Sequence, residues 1–326
     1  MHAIRLHEFG PPENLVYEDV EDPQAGPGQV RIAVAAAGVH LIDTTIRAGV
    51  QRGPMPLPDL PAIPGREVAG VVDALGPQVD ARWLGRRVVA HLGPASGGYA
   101  ELAVREADAL HPVPDGLADD AAVAMIGTGR TALAVLEVAR LTDQDVVLVT
   151  AAAGGLGSLL VQAARNAGAA VVGVAGGAAK VARVRQLGVT VAVDYSAPDW
   201  SDAVREALDG REVTVTLDGV GGTLGRGALE LLGVGGRLIL FGWSSGEATE
   251  LSVDDLYSRG LTVSAAIGAR IARRPGGLRD LEERALAAAA DGSLAPLVQR
   301  FALAQAAAAH SAIENRATVG KTVLLP

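Results

Sequence analysis

The 326-residue sequence predicts an α/β fold: a doubly wound parallel sheet together with a β-rich, partly open barrel. Two observations predict this fold. From residue 116 to about 264, apolar strands alternate with helical patterns of about ten or more residues, which is typical of βαβ units in a parallel sheet. Before residue 115, short apolar or alternating runs are separated by Pro/Gly turns, and 13 of the 17 prolines lie in this part.

The change of pattern predicts three segments. Residues 1–118 form the β-rich domain, 119–264 form the parallel-sheet domain, and 265–326 return to complete the first domain. Strands of the β-rich domain are expected at 1–6, 29–37, 67–75, 87–91 and 99–104. Strands of the parallel sheet are expected at 146–150, 170–174, 190–194, 213–217 and 236–241. Helices between them are expected at 119–139, 156–167, 178–187, 199–208 and 222–233. The tail is expected to form a helix at 278–291 and strands at 297–303 and 320–325.

Composition excludes several classes of function. A net charge of −9 and an aromatic content of 3% argue against a nucleic-acid partner. The absence of cysteine excludes disulfides, a thiol nucleophile and any cysteine-ligated metal. No run approaches the ~18 apolar residues that a membrane helix needs, and charged residues interrupt the N-terminus where a signal peptide would be apolar. We therefore expect a cytoplasmic protein with a small-molecule substrate and no membrane partner.

The stretch 146–157 predicts a dinucleotide site. An apolar strand, Val146–Thr150, runs into three glycines and then into a helical pattern. Such glycines let the backbone approach a pyrophosphate, and the first free N–H groups of the helix face the anion. The spacing is compressed relative to G-x-G-x-x-G, with Ala152 in the first glycine position, so an ordinary strand-to-helix turn is the alternative. The predicted contacts are Ala153, Gly154, Gly155, Leu156 and Gly157.

The next strand indicates which dinucleotide binds. It ends in Gly176-Gly177, about twenty residues after the motif, where an NAD site needs a carboxylate for the ribose 2′-hydroxyl. No Asp or Glu occurs between Asp145 and Asp194. Lys180 instead offers a cation that suits a 2′-phosphate, which favours NADPH over NADH. The alternative is that Lys180 merely solubilises its helix.

Five motifs in a fixed order carry a family resemblance. They are Ala37–Asp43 (AGVHLID), Pro64–Gly70 (PGREVAG), 152–157 (AAGGLG), Leu217–Gly222 (LDGVGG) and Gly320–Leu324 (GKTVL). With these motifs the chain resembles the medium-chain dehydrogenase/reductase superfamily, specifically its zinc-independent quinone oxidoreductase branch. The resemblance implies a Rossmann domain for the parallel sheet and a GroES-like fold for the β-rich catalytic domain. It also implies a homodimer that pairs through the last Rossmann strand, expected within Leu261–Ile267.

Departures from the family pattern predict that no metal is bound. In the zinc alcohol dehydrogenases of this superfamily, a cysteine stands at the place of His40, a histidine at the place of Arg66, and a further cysteine near Ile126. His40 alone cannot hold zinc, which takes three protein ligands at a catalytic site. Without a metal, the resemblance implies hydride transfer from NADPH to an acceptor that is already activated, such as a quinone or an α,β-unsaturated carbonyl.

The resemblance also suggests three catalytic residues. His40, where the family usually has an asparagine beside the nicotinamide, donates to the substrate oxygen and returns a proton, or is a structural histidine. Arg66 either pairs with Glu67 or Asp73 at the surface, or points into the vacated metal position and holds an anionic oxygen. Thr131 is expected to contact the carboxamide or the pyrophosphate.

Asp43 is expected to orient His40 or to cap the helix that starts there, and the cap is the favoured interpretation. His310 belongs to no motif and is expected at the surface. The remaining cofactor contacts come from strand ends and from an Asn-x5-Lys pattern in the tail. They are Gly176, Lys180, Tyr195, Gly219, Val220, Phe241, Gly242, Asn315 and Lys321.

The sequence thus predicts a zinc-independent, NADPH-dependent quinone or enone reductase, with two alternatives. One is an enoyl-thioester reductase in a biosynthetic pathway, in which Arg66 or Arg130 grips a larger substrate. The other is a protein that binds NADPH without turnover, as a sensor. The second alternative stays open because no proton donor is obvious and because Thr45 stands where the family often places a substrate-pocket tyrosine.

Overall fold

The computed structural model describes residues 1–51, 56–93 and 96–326, which divide into two compact units. The first unit comprises 1–128, 286–290 and 296–326. The second unit comprises 129–285 and 291–295. The first division falls inside the long helical stretch at 119–139, between Thr128 and Gly129.

The described strands are β1 (His2–Leu6), β2 (Leu15–Asp19), β3 (Gln29–Val39), β4 (Glu67–Leu75), β5 (Arg87–His91), β6 (Leu102–Glu106), β7 (His111–Pro112), β8 (Val146–Val149), β9 (Ala170–Ala175), β10 (Val191–Asp194), β11 (Val213–Asp218), β12 (Leu232–Leu240), β13 (Thr262–Ala265), β14 (Val298–Ala302) and β15 (Lys321–Leu325). The described helices are α1 (Leu41–Arg47), α2 (Asp119–Ala124), α3 (Arg130–Ala139), α4 (Gly155–Asn166), α5 (Ala178–Gln186), α6 (Trp200–Leu208), α7 (Gly222–Glu230), α8 (Val253–Arg259), α9 (Ala269–Ala272), α10 (Arg279–Ala290) and α11 (Ala306–Glu314). A π-helical segment, Met125–Gly129, joins α2 to α3.

The first unit is built on a seven-stranded sheet in the order β14-β15-β3-β4-β5-β7, with β6 also paired to β3. All of its pairs are antiparallel except β14 with β15. Two register irregularities in β3, at Arg31/Ile32 and at Val34/Ala36, bend this long strand. Gly70 permits the bend, because a Cβ there would lie 2.0 Å from the Ala33 carbonyl oxygen. The described sheet path stays open and forms no closed barrel.

The second unit confirms the predicted doubly wound sheet. Its six strands are all parallel and follow the order β10-β9-β8-β11-β12-β13. The central strand β8 is buried along its whole length, as its unbroken valine and leucine run predicts. The strand order reverses next to β8, and open α/β sheets bind ligands outside the carboxyl ends of strands at such a point. Edge strand β13 keeps Val263 partly buried.

Some predicted elements were wrong in extent or were missed. The expected helix 222–233 ends at Glu230, and β12 begins at Leu232. The pairing of β11 with β12 contains a register irregularity, which accommodates the glycine-rich start of β12. Helix α8 was missed, although Ser252 and Asp255 form a capping box that signals its start. The alanine-rich helix α11 was also missed, which affects the site described below.

One stretch of the described chain, 119–139, is long and apolar enough to pass a length-and-composition test for a membrane span, with a mean hydropathy of 1.4. The test allows up to two charged residues, so it does not require an unbroken apolar run. However, 56% of the 18-residue window that passes the test is buried inside the protein. The core helix of a folded domain passes the same test, so this stretch is weak evidence for a membrane span.

Candidate functional site

The turn after β8 leaves the start of α4 without a capping side chain. Gly154 is the N-cap residue, and the first intrahelical bond of the helix is donated by Ser158 N to Gly154 O. The backbone N–H groups ahead of that bond belong to Gly155, Leu156 and Gly157. Such N–H groups, together with the helix dipole, form an anion site. The predicted glycine turn therefore has the features that a pyrophosphate needs.

Gly157 is the position in this turn where no side chain fits. A Cβ at Gly157 would lie 2.3 Å from the Ala151 carbonyl oxygen and 2.9 Å from the Ala152 Cα. Ala152 itself is fully buried, and its N–H donates to Val174 O. The compressed motif thus tolerates alanine at its first position while its last glycine is required for the close approach of helix and strand.

The ends of β9 and β10 bring Gly176 and Tyr195 together. A Cβ at Gly176 would lie 3.1 Å from the Tyr195 ring, so the ring lies against the glycine backbone. Lys180, in the first turns of α5, is partly buried. Two predicted cofactor contacts, Gly176 and Tyr195, and the predicted 2′-phosphate cation Lys180 therefore belong to one region of the second unit.

The structure places the Asp194 carboxylate beside Gly177, at the ends of β9 and β10, and the sequence did not predict this contact. Asp194 Oδ1 accepts from Gly177 N at 2.8 Å and from Ser196 N at 2.9 Å. The Ser196 hydroxyl, followed by these two backbone N–H groups, lowers the pKa of Asp194. Asp194 ends the acid-free interval that follows Asp145, but β10 pairs with β9, so the carboxyl end of β10 meets Gly177. The register of neighbouring parallel strands could have revealed it.

A buried carboxylate organises the ends of β11 and β12. Asp218 accepts hydrogen bonds from Thr150 Oγ1 at 2.9 Å, Thr249 Oγ1 at 2.7 Å and Val220 N at 2.9 Å. Gly219 is required beside it, because a Cβ there would lie 2.2 Å from the Phe241 ring. The structure thus brings four predicted cofactor contacts together. They are Gly219, Val220, Phe241 and Gly242.

Thr131 and Arg130 open helix α3 in the second unit. Arg130 forms an ion pair with Glu282, and its side chain is largely buried. Its guanidinium is therefore held by a carboxylate within the second unit. Thr131, the predicted carboxamide or pyrophosphate contact, is partly buried.

The first unit gathers His40, Glu67 and Lys321 into one cluster. His40 Nε2 lies 2.7 Å from Glu67 Oε1 and 2.8 Å from Lys321 Nζ. Lys321 Nζ also lies 2.9 Å from Glu67 Oε2, which closes a triangle of contacts. Glu67 is 0% and Lys321 5% exposed, whereas His40 is 25% exposed. The imidazole is the member of the cluster with the largest exposed fraction.

Two glycines make room for the Glu67 carboxylate. A Cβ at Gly38 would lie 2.3 Å from Glu67 Oε2, and a Cβ at Gly127, in the π-helical segment, would lie 1.6 Å from Glu67 Oε1. Burial opposes ionisation of this carboxyl group, but the nearby His40 and Lys321 outweigh burial and hold the pKa of Glu67 well below its usual value. The cluster therefore contains a buried carboxylate. Sequence reasoning treated Glu67 only as a surface partner for Arg66 and missed this role.

Asp43 links His40 to a second polar group. It lies three residues into α1, where its Oδ2 accepts from the His40 backbone N–H at 2.7 Å. The same oxygen accepts from the Tyr99 hydroxyl at 3.1 Å, and Oδ1 accepts from Arg66 Nη2 at 3.2 Å. His40, not Asp43, is thus the N-cap residue. The expected alternative pairing of Arg66 was also wrong: its partner is Asp43, its side chain is 14% exposed, and Asp73 binds Arg31.

His310 is buried, which corrects the expectation that it lies at the surface. Helix α11 places its Nε2 3.2 Å from the Tyr99 hydroxyl. Because that hydroxyl donates its proton to Asp43, His310 Nε2 must carry the proton in this contact. Burial, and to a smaller extent Arg47, lowers the pKa of His310 to about 4, although Asp43 acts in the opposite direction. The ring is therefore neutral near pH 7.

This buried histidine predicts a loss of stability in acid. Its folded pKa of about 4 lies below the ordinary 6.5, so its stabilising contribution is complete above pH 6.5 and is lost as the pH falls toward 4. The difference between these two pKa values corresponds to about 3 kcal/mol of unfolding free energy. Urea unfolding at pH 7.5 and pH 4.5 should show this extra loss in the wild type and not in His310→Gln. A parallel pH dependence in both proteins would contradict the prediction.

The two tail residues predicted from the Asn-x5-Lys pattern differ in their surroundings. Asn315 is exposed at the end of α11, where its Nδ2 donates to Ser311 Oγ at 3.3 Å. Lys321 is buried in the triangle with His40 and Glu67. Its role as a cofactor contact stays a prediction.

Comparison with known proteins identifies the family. The family model described as alcohol dehydrogenase GroES-like domain matches residues 26–115, and the model described as zinc-binding dehydrogenase matches 155–283. The chain is 34% identical over 326 residues to a quinone oxidoreductase of Pseudomonas aeruginosa, covering 99% of each chain. The chain belongs to the medium-chain dehydrogenase/reductase superfamily, in its quinone oxidoreductase-like branch. The predicted family is confirmed, and the protein is an oxidoreductase.

Two further members of this superfamily resemble the chain over nearly all of their length. A 2-haloacrylate reductase of Burkholderia sp is 34% identical over 333 residues, with 99% of this chain and 98% of the relative covered. The crystal structure of Escherichia coli quinone oxidoreductase complexed with NADPH matches with a TM-score of 0.87 at 27% identity, covering all of both chains.

Although one matching family model is named for zinc binding, the donor set of this member does not fit zinc. His40 Nε2 is held by Glu67 and Lys321, and the ammonium of Lys321 opposes a second cation there. Arg66 is bound to Asp43 and has no lone pair to offer a metal. In the described residues, no group of three or more His, Cys, Asp and Glu side chains could hold a metal ion.

Proposed function

We propose that the protein is an NADPH-dependent reductase that acts without zinc on quinones or α,β-unsaturated carbonyls. The observation that carries this proposal is the partly exposed imidazole of His40, anchored by a buried carboxylate and a buried amine where zinc-dependent relatives have a metal ligand. The names of the similar proteins, quinone oxidoreductase and 2-haloacrylate reductase, agree with an activated, conjugated acceptor. Conjugation moves the incoming negative charge onto oxygen, so a hydrogen-bond donor can replace a metal.

The residues of the second unit fit NADPH. The uncapped N–H groups of α4 would bind the pyrophosphate, and Lys180 would bind the 2′-phosphate. Tyr195 and Gly176 would contact the adenosine, and Thr131 would contact the carboxamide. Bound NADPH supplies a hydride. The Asp194 carboxylate beside Gly177 opposes a phosphate, so the proposal requires that Lys180 outweighs it.

His40 would hold the oxygen of the acceptor and return a proton to it. Its Nε2 is fixed by Glu67 and Lys321, so the ring cannot turn freely and its orientation is set before substrate arrives. Arg66 is held by Asp43 close to the start of α1, where its charge stabilises the carboxylate that accepts from the His40 backbone N–H. We therefore assign Arg66 a supporting role, and His40 the direct contact with substrate.

We expect NADPH oxidation, followed at 340 nm, with a panel of quinones and 2-enones. Turnover should survive a chelator, because the donor set does not fit a metal, and should exceed turnover with NADH. The His40→Ala variant should lose about 10²-fold or more in kcat, because general acid catalysis usually contributes a rate factor of at least this size. No turnover with any acceptor, together with tight NADPH binding, would leave a non-catalytic NADPH-binding protein. Faster turnover of enoyl thioesters than of free quinones and enones would favour the thioester alternative.

We further propose that the enzyme is a cytoplasmic homodimer joined through β13. This strand lies at one end of the six-stranded sheet, so its outer backbone groups can pair with a second copy. Light scattering should then give a mass near twice that of the 33.1 kDa chain.

A further inference from the structure

We propose that Lys321 is the proton source for His40, passing a proton to Nε2 while His40 gives its Nδ1 proton to the reduced substrate. This inference rests on the proposed reductase function, but its main observation is the geometry of the cluster itself. The three contacts, 2.7 Å from His40 Nε2 to Glu67 Oε1, 2.8 Å from Nε2 to Lys321 Nζ, and 2.9 Å from Nζ to Glu67 Oε2, form a closed triangle.

A triangle this tight limits where protons can lie. If His40 Nε2 and the Lys321 ammonium both carried a proton on the line between them, two donors would face each other at 2.8 Å. One proton on this line satisfies both nitrogens, and when it lies on Nε2 it also faces Glu67 Oε1 at 2.7 Å, an oxygen that can only accept. Either assignment keeps the same number of protons in the cluster, so the proton can move from Nζ to Nε2 without leaving it.

Burial separates this proton from water. Lys321 is 5% and Glu67 0% exposed, and the carboxylate lies between the backbones of Gly38 and Gly127, where even a methyl group does not fit. Burial lowers the pKa of Lys321 from its ordinary value, although the Glu67 carboxylate and, more weakly, Asp43 oppose the change, while Arg66 acts with burial. A buried amine next to an imidazole is therefore prepared to release its proton, and His40 is the cluster member with exposed surface.

The step balances as follows. The conjugated acceptor, after taking a hydride at carbon, carries an enolate or hydroquinone-type charge on oxygen. The Nδ1–H bond of His40 breaks, its electron pair stays on the ring, and the proton forms the O–H bond of the product. At the same time one N–H bond of the Lys321 ammonium breaks, its electron pair stays on Nζ, and the proton forms Nε2–H. The ring ends neutral, the lysine ends as a neutral amine, and a proton from water later restores both.

The test compares Lys321→Arg with Lys321→Met. Arginine keeps the positive charge beside Glu67 but does not release a proton, whereas methionine removes both properties. If Lys321 supplies the proton, both variants should lose about 10²-fold in kcat, with KM for NADPH little changed. If Lys321 only balances the charge of Glu67, Lys321→Arg should keep wild-type kcat. If it only contacts the cofactor, as the tail pattern suggested, KM for NADPH should rise while kcat at saturation is unchanged. Either of these outcomes would overturn the proposal.

A spectroscopic measurement on the cofactor-free protein makes the test independent of turnover. Lys180 and Lys321 are the only lysines in the sequence, so a ¹⁵Nζ-lysine spectrum contains two side-chain signals, which Lys180→Met assigns. We expect the Lys321 signal to respond to His40→Gln, and the His40 ring nitrogens to change tautomer in Lys321→Met but not in Lys180→Met. A Lys321 signal unaffected by His40→Gln would show that the two groups share no proton and would refute the relay even if the variants fold poorly. If the wild type shows this coupling but reduces no acceptor, the reductase function fails while the shared proton stands.

Discussion

The Gly157→Ala variant is expected to bind NADPH about 10- to 100-fold more weakly than the wild type, the cost of losing a hydrogen bond to a charged group. The added Cβ would lie 2.3 Å from the Ala151 carbonyl oxygen. The oxygen is a backbone atom, and the backbone also fixes the position of the Cβ. No side-chain rotation relieves this clash, so the start of α4 must move away from the end of β8. The N–H groups proposed to hold the pyrophosphate move with it.

Gly154→Ala is the matched control for this experiment. It adds the same methyl group three residues earlier, but there the Cβ lies 3.2 Å from the same carbonyl oxygen, so a small shift is enough. Alanine is also a poorer N-cap residue than glycine, and we expect a modest effect on stability from that cause. NADPH fluorescence titration and thermal unfolding of both variants would measure the difference. If Gly157→Ala binds NADPH as tightly as Gly154→Ala, the turn does not hold the pyrophosphate.

Local patterns were enough to predict the parallel sheet and its glycine turn. The buried strand β8 reads as an apolar run, and the turn and helix that follow it are contiguous in sequence, so spacing alone predicts their geometry. For the same reason, Gly219 and Phe241 could be predicted as strand-end residues. Parallel strands in one sheet present their carboxyl ends at one edge, whichever loops connect them.

The cluster of His40, Glu67 and Lys321 could not be predicted in this way. His40, Glu67 and Lys321 come from the ends of three strands, β3, β4 and β15, and their meeting depends on antiparallel register that the sequence does not reveal. The resemblance named His40 as a catalytic candidate and Lys321 as a cofactor contact, but it did not indicate that the two side chains lie 2.8 Å apart. His310 was misassigned because α11 was missed, and without that helix nothing indicated that the ring is covered. The sequence also does not indicate why glycine is needed at 38 and 127, because the reason is the Glu67 carboxylate that lies between Gly38 and Gly127.

Replacing Glu67 is expected to be among the most destabilising single changes in the first unit. Glu67→Gln keeps the shape of the side chain but removes the charge that balances Lys321 in a buried place. Breaking a buried ion pair by removing one partner costs about 3–5 kcal/mol. Urea unfolding at pH 7 should show this loss, whereas Glu21→Gln, at an exposed position, should unfold like the wild type.

The pH dependence of the Glu67 effect distinguishes a charge effect from a packing effect. The folded pKa of Glu67 lies well below the ordinary 4.5, so its contribution is complete above that value and is lost as the pH falls toward the folded pKa. The difference in unfolding free energy between wild type and Glu67→Gln should therefore shrink in acid. Combining Glu67→Gln with Lys321→Met should cost less than the sum of the single variants, because the second change removes the unbalanced ammonium. Additive costs would show that Glu67 and Lys321 do not interact through their charges, and a constant difference across pH would assign the effect of Glu67 to packing.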